Sequence, residues 1–261
     1  MSLLAGKTVV VSGVGAGLGR QVAAAVVRDG GRVVLGARTE ASLAKTAAEL
    51  DPGGACTAYR ATDVRDEAQC EVLAELARER FGGIDAVVHV AALDSYFGGL
   101  EDADFESWRS VIDVNLLGTL RMTRACLPSL KQGGGSVVFV GTQSAVAAPS
   151  QVRQAAYAAS KGALTSAMYS LARELGPHRI RVNTVLPGWM WGPPVQAYVQ
   201  FAARSEGVSE AAVLGRLTDR MALPELATDG DVADAAVFLA SDRARAITGQ
   251  SLLVNAGELM R

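Results

Sequence analysis

The sequence predicts an α/β fold: one doubly wound, seven-stranded parallel sheet with helices on both faces, in a single domain over residues 1–261. Three observations predict it. Short β-branched apolar runs alternate with helical patterns along the whole chain. A glycine-rich turn, Gly13-Val14-Gly15-Ala16-Gly17-Leu18-Gly19, joins the first run to the first helix. No repeat, linker or low-complexity segment divides the 261 residues, of which 49% are hydrophobic and 20% charged, enough for a sizeable core.

Lys7 to Ser12 reads as a buried strand, because Thr8-Val9-Val10-Val11 is a continuous β-branched run. After the glycine turn, an apolar helix runs from about Arg20 to Asp29 and Gly30-Gly31 ends it. Arg32 to Ala37 is the second strand. In such a βαβ unit, glycines let the backbone approach a pyrophosphate, and the helix start offers free N–H groups. At the end of the second strand, Ala37 and Arg38 put a small neutral residue beside a guanidinium, which suits a phosphate. A helix from Ala41 to Leu50 is broken by Asp51-Pro52-Gly53-Gly54. The third strand, Cys56 to Thr62, runs into Asp63-Val64, and a helix with an acidic first turn follows from about Asp66 to Phe81.

Ile84 to Val90 is the fourth strand, leading into Ala91-Ala92. Leu93 to Asp104 is a loop carrying Tyr96, Phe97, Gly98 and Gly99, placed where ligands bind in parallel sheets. Phe105 to Ser129 is one long helical stretch, and Ser136 to Thr142 the fifth strand. Tyr157 to Leu175 is an amphipathic helix, stopped by Gly176-Pro177. Ile180 to Leu186 is the sixth strand, followed by Pro187-Gly188-Trp189-Met190-Trp191-Gly192. The alanine-rich stretch from Val195 to Leu223 reads as one or two helices, with residues 189–225 covering the site as a lid. Thr228 or Asp229 caps a helix ending at Ala240, and Thr248 to Gly257 forms the seventh strand and a turn.

The net charge of −2 and the absence of a basic block argue against a nucleic-acid partner. Cys56, Cys70 and Cys126 are far apart, His89 and His178 are the only histidines, and no metal-ligand spacing occurs, so reduced thiols and no metal are expected. The N-terminus runs into a strand without a signal-peptide pattern, and no apolar run reaches membrane-spanning length; a cytoplasmic protein with no membrane partner is expected.

Tyr157 and Lys161 lie four residues apart in a helical pattern, one turn apart on one face. There an ammonium favours the phenolate, lowering a pKa of about 10, and can hold a cofactor sugar. A tyrosine so poised is a general acid/base for a carbonyl or an alcohol. The spacing alone also suits a core tyrosine beside a solvated lysine; a dinucleotide site in the same chain makes it specific.

Ser12-Gly13-x-x-x-Gly17-x-Gly19 resembles the Thr-Gly-x-x-x-Gly-x-Gly signature of the short-chain dehydrogenase/reductase family, with Ser12 keeping the hydroxyl. Tyr157-x-x-x-Lys161, Asn115 in Val114-Asn115-Leu116, Pro187-Gly188 and Thr248-Gly249-Gln250 follow in the family's order. The resemblance covers essentially the whole chain and extends to 3-oxoacyl reductase-like members. It implies a Rossmann-type domain and NADP(H), favoured at Ala37-Arg38, with NAD(H) possible. Ser12, Gly13, Gly17, Leu18 and Gly19 would hold the pyrophosphate, Asp63 and Val64 the adenine, and Ala91 a ribose. Pro187, Gly188 and Met190 would lie beside the nicotinamide, and Tyr157 and Lys161 at its ribose. Tyr157 would transfer the proton and Lys161 lower its pKa, while Asn115 would distort its helix and hold a relay water.

A hydroxyl at the end of the fifth strand would hold the substrate oxygen. Counting into the strand gives Thr142 and counting back from Tyr157 gives Ser144; Thr142 is slightly preferred, because loops absorb insertions more easily than strands. Three departures stand out: His89-Val90-Ala91-Ala92 replaces Asn-Asn-Ala-Gly, Ala16 stands where a second basic residue is common, and Gly192 replaces a threonine that binds carboxamide or phosphate. His89 is read as a core histidine. Tyr96, Trp189 and Trp191, with Phe97 and Met190, would line a roomy apolar pocket for a hydrophobic small molecule. The family implies a homotetramer or homodimer through the helices bearing Asn115 and Tyr157. Two alternatives are an NAD-dependent alcohol or steroid-type dehydrogenase, with Arg38 stacking on adenine, and a non-catalytic dinucleotide sensor.

Overall fold

A computed structural model of the chain describes residues 2–148 and 152–260. Strands β1 (Thr8–Ser12), β2 (Arg32–Ala37), β3 (Thr57–Ala61) and β4 (Ala86–His89) alternate with helices α1 (Leu18–Arg28), α2 (Glu40–Leu50) and α3 (Glu67–Phe81). Then come α4 (Phe105–Ile112), α5 (Thr119–Gly133), β5 (Gly135–Val140), α6 (Ala155–Leu175) and β6 (Ile180–Pro187). The C-terminal part holds β7 (Met190–Trp191), α7 (Pro193–Glu206), α8 (Glu210–Thr218), β8 (Ala227–Thr228), α9 (Asp229–Ala240) and β9 (Ser251–Val254). The main sheet has seven strands in the order β3-β2-β1-β4-β5-β6-β9, and every pair is parallel. This is the doubly wound sheet that the alternating pattern predicts.

Both faces are covered, which is why the strands read as unbroken apolar runs. Val9, Val11, Val33, Leu35, Val88 and Val138 pack on one side with residues of α1, α2 and α9. Val10, Val34, Val87, Val137 and Phe139 pack on the other with α3, α5 and α6. Register sets Ser12 opposite both Gly36 and His89, and His89 opposite Phe139, so the C-terminal ends of β1, β4 and β5 lie side by side. Loops leaving those ends share one edge, the place for a ligand in an open α/β sheet.

The structure differs from the sequence reading in four places. The first helix begins at Leu18 rather than Arg20, so its opening turn lies within the glycine loop. The stretch from Phe105 is not one regular helix: Asp113–Gly118 forms a π-turn between α4 and α5, centred on Asn115 as the family resemblance implies. The fifth strand ends at Val140, and Thr142 instead caps a short 3₁₀ turn over Gln143–Ala145. A small parallel pair, β7 with β8, ties the stretch after β6 to the start of α9. The stretch expected to cover the site holds two helices, α7 and α8, with a core of their own around Val199, Ala203, Val213 and Leu217.

Candidate active site

The glycine turn is held by contacts that exclude side chains. Gly13 has φ +95°, and a Cβ there would collide with the Ala91 backbone; a Cβ on Gly19 would collide with the Gly13 carbonyl. The Ser12 carbonyl accepts from both Val90 N–H and Ala91 N–H at 2.8 Å, and Gly13 N–H donates to Gly36 O at 2.7 Å. These bonds lock the ends of β1, β2 and β4 into one shallow cradle. No side chain caps α1, whose N-cap is Gly17, so its first N–H groups face the cradle.

Arg38 is exposed at the end of β2 and has no hydrogen-bond or ion-pair partner among the described residues. Asp63 is near enough to feel its charge, but the Asp63 carboxylate is held by Arg65, through Nη2 at 2.6 Å and Nε at 3.1 Å. That pairing, chiefly, holds the Asp63 carboxyl below its ordinary range. The aspartate expected at the adenine is thus already engaged, and Arg38 is left uncommitted. Val64 is buried at the start of the following turn, against Gly118 of the π-turn.

Tyr157 and Lys161 share a face of α6 beside the end of β5. Tyr157 is half-buried, and desolvation is the largest influence on its phenol and pushes the pKa above the ordinary 10. The negative charge of Asp94 raises it further, and the nearby Thr142 side chain pulls the other way. Lys161 is only 1% exposed. Its Nζ donates to Val140 O at 2.7 Å and lies 5.9 Å from the centroid of the Tyr157 ring. Burial brings this lysine down to about 8, with Asp94 opposing. In the unliganded chain Lys161 is not among the groups that shift the phenol, and its ammonium is directed to a strand carbonyl.

Of the two candidate hydroxyls, the structure brings Thr142 to the phenol. Thr142 Oγ1 also accepts from Ser144 N–H at 3.2 Å, which fixes its rotamer, whereas the Ser144 hydroxyl makes no hydrogen bond among the described residues. Asn115 is fully buried. Its Oδ1 accepts from Leu93 N–H at 2.7 Å, and Nδ2 donates to Leu93 O at 3.1 Å and to Ser160 Oγ at 3.0 Å. Ser160 Oγ in turn donates to Tyr157 O at 2.7 Å. Both amide protons are spent on the protein, so the side chain is a brace between the loop after β4 and the helix of Tyr157.

His89 is buried between β1 and β5, 5.5 Å from the Phe139 ring. Thr123 Oγ1 donates to Thr119 O at 2.9 Å, so the 2.9 Å contact between Thr123 Oγ1 and His89 Nε2 is made by a proton on Nε2. Nδ1 has no partner. Burial, with a smaller effect from Lys161, drives the imidazole down to about 3, so it is neutral at physiological pH. It is a core histidine, half-satisfied.

The substrate side departs from expectation. No ring contact joins Tyr96, Trp189 and Trp191 among the described residues. Trp189 packs on Tyr198 at 5.1 Å within the core of the helical pair. Trp191 is 37% exposed in β7, and Tyr96 and Phe97 are 42% and 69% exposed on the loop. Met190, between the tryptophans, packs inward against the main core. Strand alternation explains why Met190 points away from both tryptophans, since neighbours in an extended segment point oppositely. The loop itself is tied to the start of α6: Gly98 N–H donates to Arg153 O at 2.9 Å, and Gln154 Nε2 to Asp94 O at 2.6 Å.

Sequence reasoning missed three features of the site. Asp94 acts on both Tyr157 and Lys161. The Asp229 carboxylate fills the space beside Gly192, the glycine that follows β7. A buried polar chain fixes the residue after Thr142: Asn255 Nδ2 donates to Gln143 Oε1 at 2.5 Å, Gln143 Nε2 to Glu258 Oε2 at 2.9 Å, and Arg220 pairs with Glu258 at 2.9 Å. Gly188 lies against that chain, where a Cβ would come 2.8 Å from Asn255 Cβ. None of these carries a local sequence signal; tertiary approach alone assembles them.

Comparison with known proteins bears on this geometry. Residues 13–258 match a family described as enoyl-(acyl carrier protein) reductase. The chain is 33% identical over 259 residues to an L-rhamnose 1-dehydrogenase (NAD(P)(+)) of Azotobacter vinelandii, covering 98% of this chain and 97% of that protein. It is 33% identical over 253 residues to the L-fucose dehydrogenase of Bos taurus, covering 97% and 89%. Among solved structures, the L-sorbose reductase of Gluconobacter frateurii, complexed with NADPH and L-sorbose, superposes with a TM-score of 0.92 at 26% identity over 100% of both chains.

Proposed function

The chain belongs to the short-chain dehydrogenase/reductase family and is an oxidoreductase of the alcohol/carbonyl type; from that premise we propose that it uses NADP(H) to interconvert a carbonyl and a secondary alcohol on a hydrophobic small molecule. The observation that carries the proposal is the meeting of the Thr142 hydroxyl, the Tyr157 phenol and buried Lys161 beside the glycine cradle. The residues present fit a dinucleotide: the cradle excludes any Cβ at Gly13 and Gly19, α1 is uncapped, and Arg38 is uncommitted.

When bound, the dinucleotide supplies or accepts the hydride. Thr142 and Tyr157 hold the substrate oxygen from two sides. The raised phenol pKa keeps Tyr157 protonated at neutral pH, ready to donate in the reducing direction. Lys161 retains N–H donors beyond its bond to Val140 O and offers them to a ribose. Asn115 fixes the loop after β4 against α6, keeping Asp94 and Tyr157 in register. Arg38 meets a 2′-phosphate, and Asp63 with Val64 borders the adenine. Ala91, Pro187, Gly188 and Met190 border the ribose and nicotinamide. Trp189 forms a fixed wall, with Tyr96 and Trp191 at the rim of residues 189–225 and the facing loop. We read the enzyme as cytoplasmic, forming a homotetramer or homodimer through the helices of Asn115 and Tyr157, where Leu117 and Tyr169 leave apolar surface exposed.

Fluorescence titration with NADPH and NADH tests the cofactor. Tight NADPH and weak NADH are expected, with Arg38→Ala weakening NADPH by roughly tenfold or more and NADH little. Equal affinities, unmoved by Arg38→Ala, would turn the assignment to NAD(H). The sugar names of the relatives favour a second substrate class, so turnover should be compared on aromatic ketones and on aldoses or ketoses.

A further inference from the structure

Asp229 is the first residue of α9 but is not its cap. Thr228 is the cap: its hydroxyl accepts from Asp231 N–H at 3.2 Å, and Asp231 Oδ2 accepts from Thr228 N–H at 2.7 Å. The Asp229 carboxylate turns instead into the angle between the glycine loop and the stretch after β7. A Cβ on Gly192 would lie 2.7 Å from its Oδ1, and one on Gly17 3.1 Å from its Oδ2. Two glycines from distant segments thus make room for one carboxylate, at the mouth of the cradle under the first turn of α1.

That carboxylate is half-buried and has no hydrogen-bond or ion-pair partner among the described residues. Desolvation, the one influence acting on it, raises its pKa. The segments packed against it, Gly17 and Gly192-Pro193, carry no titratable group. The charges on the neighbouring helices are engaged elsewhere: Arg20 with Glu49, Arg28 with Asp29 and Asp234, and Asp231 with Thr228. A desolvated, unpaired carboxylate is costly to keep and calls for an explanation. Its place beside an uncapped helix start, where the cradle takes an anion, supplies one.

We propose that Asp229 sets the strength and pH dependence of dinucleotide binding: its charge opposes the pyrophosphate, so binding draws a proton onto Asp229 and tightens as pH falls. The proposal rests on the dinucleotide reading above. The sign follows from like charges brought together: the bound anion disfavours the carboxylate, raises its pKa further and takes up a proton.

The test is fluorescence titration of wild type, Asp229→Asn and Asp229→Ser with NADPH, from about pH 5.5 to 8.5. The ratio of Kd values between variants at each pH cancels the ligand's own titration. Near pH 8 both variants should bind more tightly than wild type, by up to about tenfold, and the difference should narrow toward the acidic end. Calorimetry in two buffers of different ionisation enthalpy should show proton uptake by wild type and less by either variant. Adenosine 2′-phosphate, which has no pyrophosphate, should bind all three proteins alike. Equal or weaker NADPH binding by the variants, with unchanged proton uptake, would overturn the role of Asp229 while leaving the dinucleotide site intact. Failure of wild type and folded variants alike to bind NADPH or NADH would overturn the dinucleotide reading itself.

Discussion

Replacing Lys161 by methionine should make the unliganded protein more stable while abolishing turnover. The ammonium lies in the interior, and its pKa falls from 10.5 to about 8. That fall corresponds to roughly 3 kcal/mol spent on keeping the charge buried at pH 7. Methionine fills a similar straight volume without the charge, but forfeits the 2.7 Å donation to Val140 O, about 1 kcal/mol. The net gain is about 2 kcal/mol, or about 5 °C in Tm for a domain of this size. The pH dependence has a definite sign. Because the folded pKa lies below the unfolded one, the unfolded chain binds more protons between about pH 8 and 10.5, and wild-type stability rises across that window. The Lys161→Met protein lacks that slope, so its advantage shrinks toward pH 10. Urea unfolding followed by tryptophan fluorescence at pH 7 and pH 10 measures both quantities. A variant destabilised at pH 7, or an advantage that does not narrow with pH, would refute the claim that the lysine is kept at a cost to the fold.

Tyr157→Phe should lower turnover by roughly 10³-fold with cofactor affinity nearly unchanged, as checked by steady-state rates beside a binding titration. Thr142→Ala should lower kcat by roughly 10²-fold and Ser144→Ala by less than about threefold, since Thr142 is the hydroxyl that acts on the phenol; the reverse order would reassign the hydroxyl. Alcohol oxidation needs the phenolate, so its rate should climb through the alkaline range, while ketone reduction, which uses the protonated phenol, should not climb with it. Asp94→Asn removes a charge that raises the Tyr157 pKa, and should move the rise in oxidation rate to lower pH in a stopped-flow or steady-state profile.

The features that proved legible in the sequence are those with a local period or a local chemical requirement. Strands β1, β2, β4 and β5 show as apolar runs because both sheet faces are buried there, and the ends of β1 to β6 fall within one or two residues of the expected ones. Gly13 and Gly19 are legible because only glycine survives the backbone approaches made there. What could not be read is set by distant segments. β7 and β8 are too short to show a period. Gly192 reads as a lost threonine until Asp229, 37 positions on, is seen to occupy its space. Lys161 reads as the activator of Tyr157 because helical spacing puts them together; nothing local says that Val140 O, on another element, competes for the ammonium.

The Asn115 brace has a consequence for the order in which the molecule comes together after synthesis. Its bonds span 22 residues to Leu93 and 45 to Ser160, across the π-turn, the loop after β4 and α6. A short-range collapse of β1 to β4 can bury much apolar surface without any of them. The brace closes only after β5 has inserted and α6 has docked, a step of high contact order that closes long loops. Substrate turnover therefore returns in refolding no earlier than that docking. Catalysis thus reports that docking rather than the recovery of helix and sheet content as such.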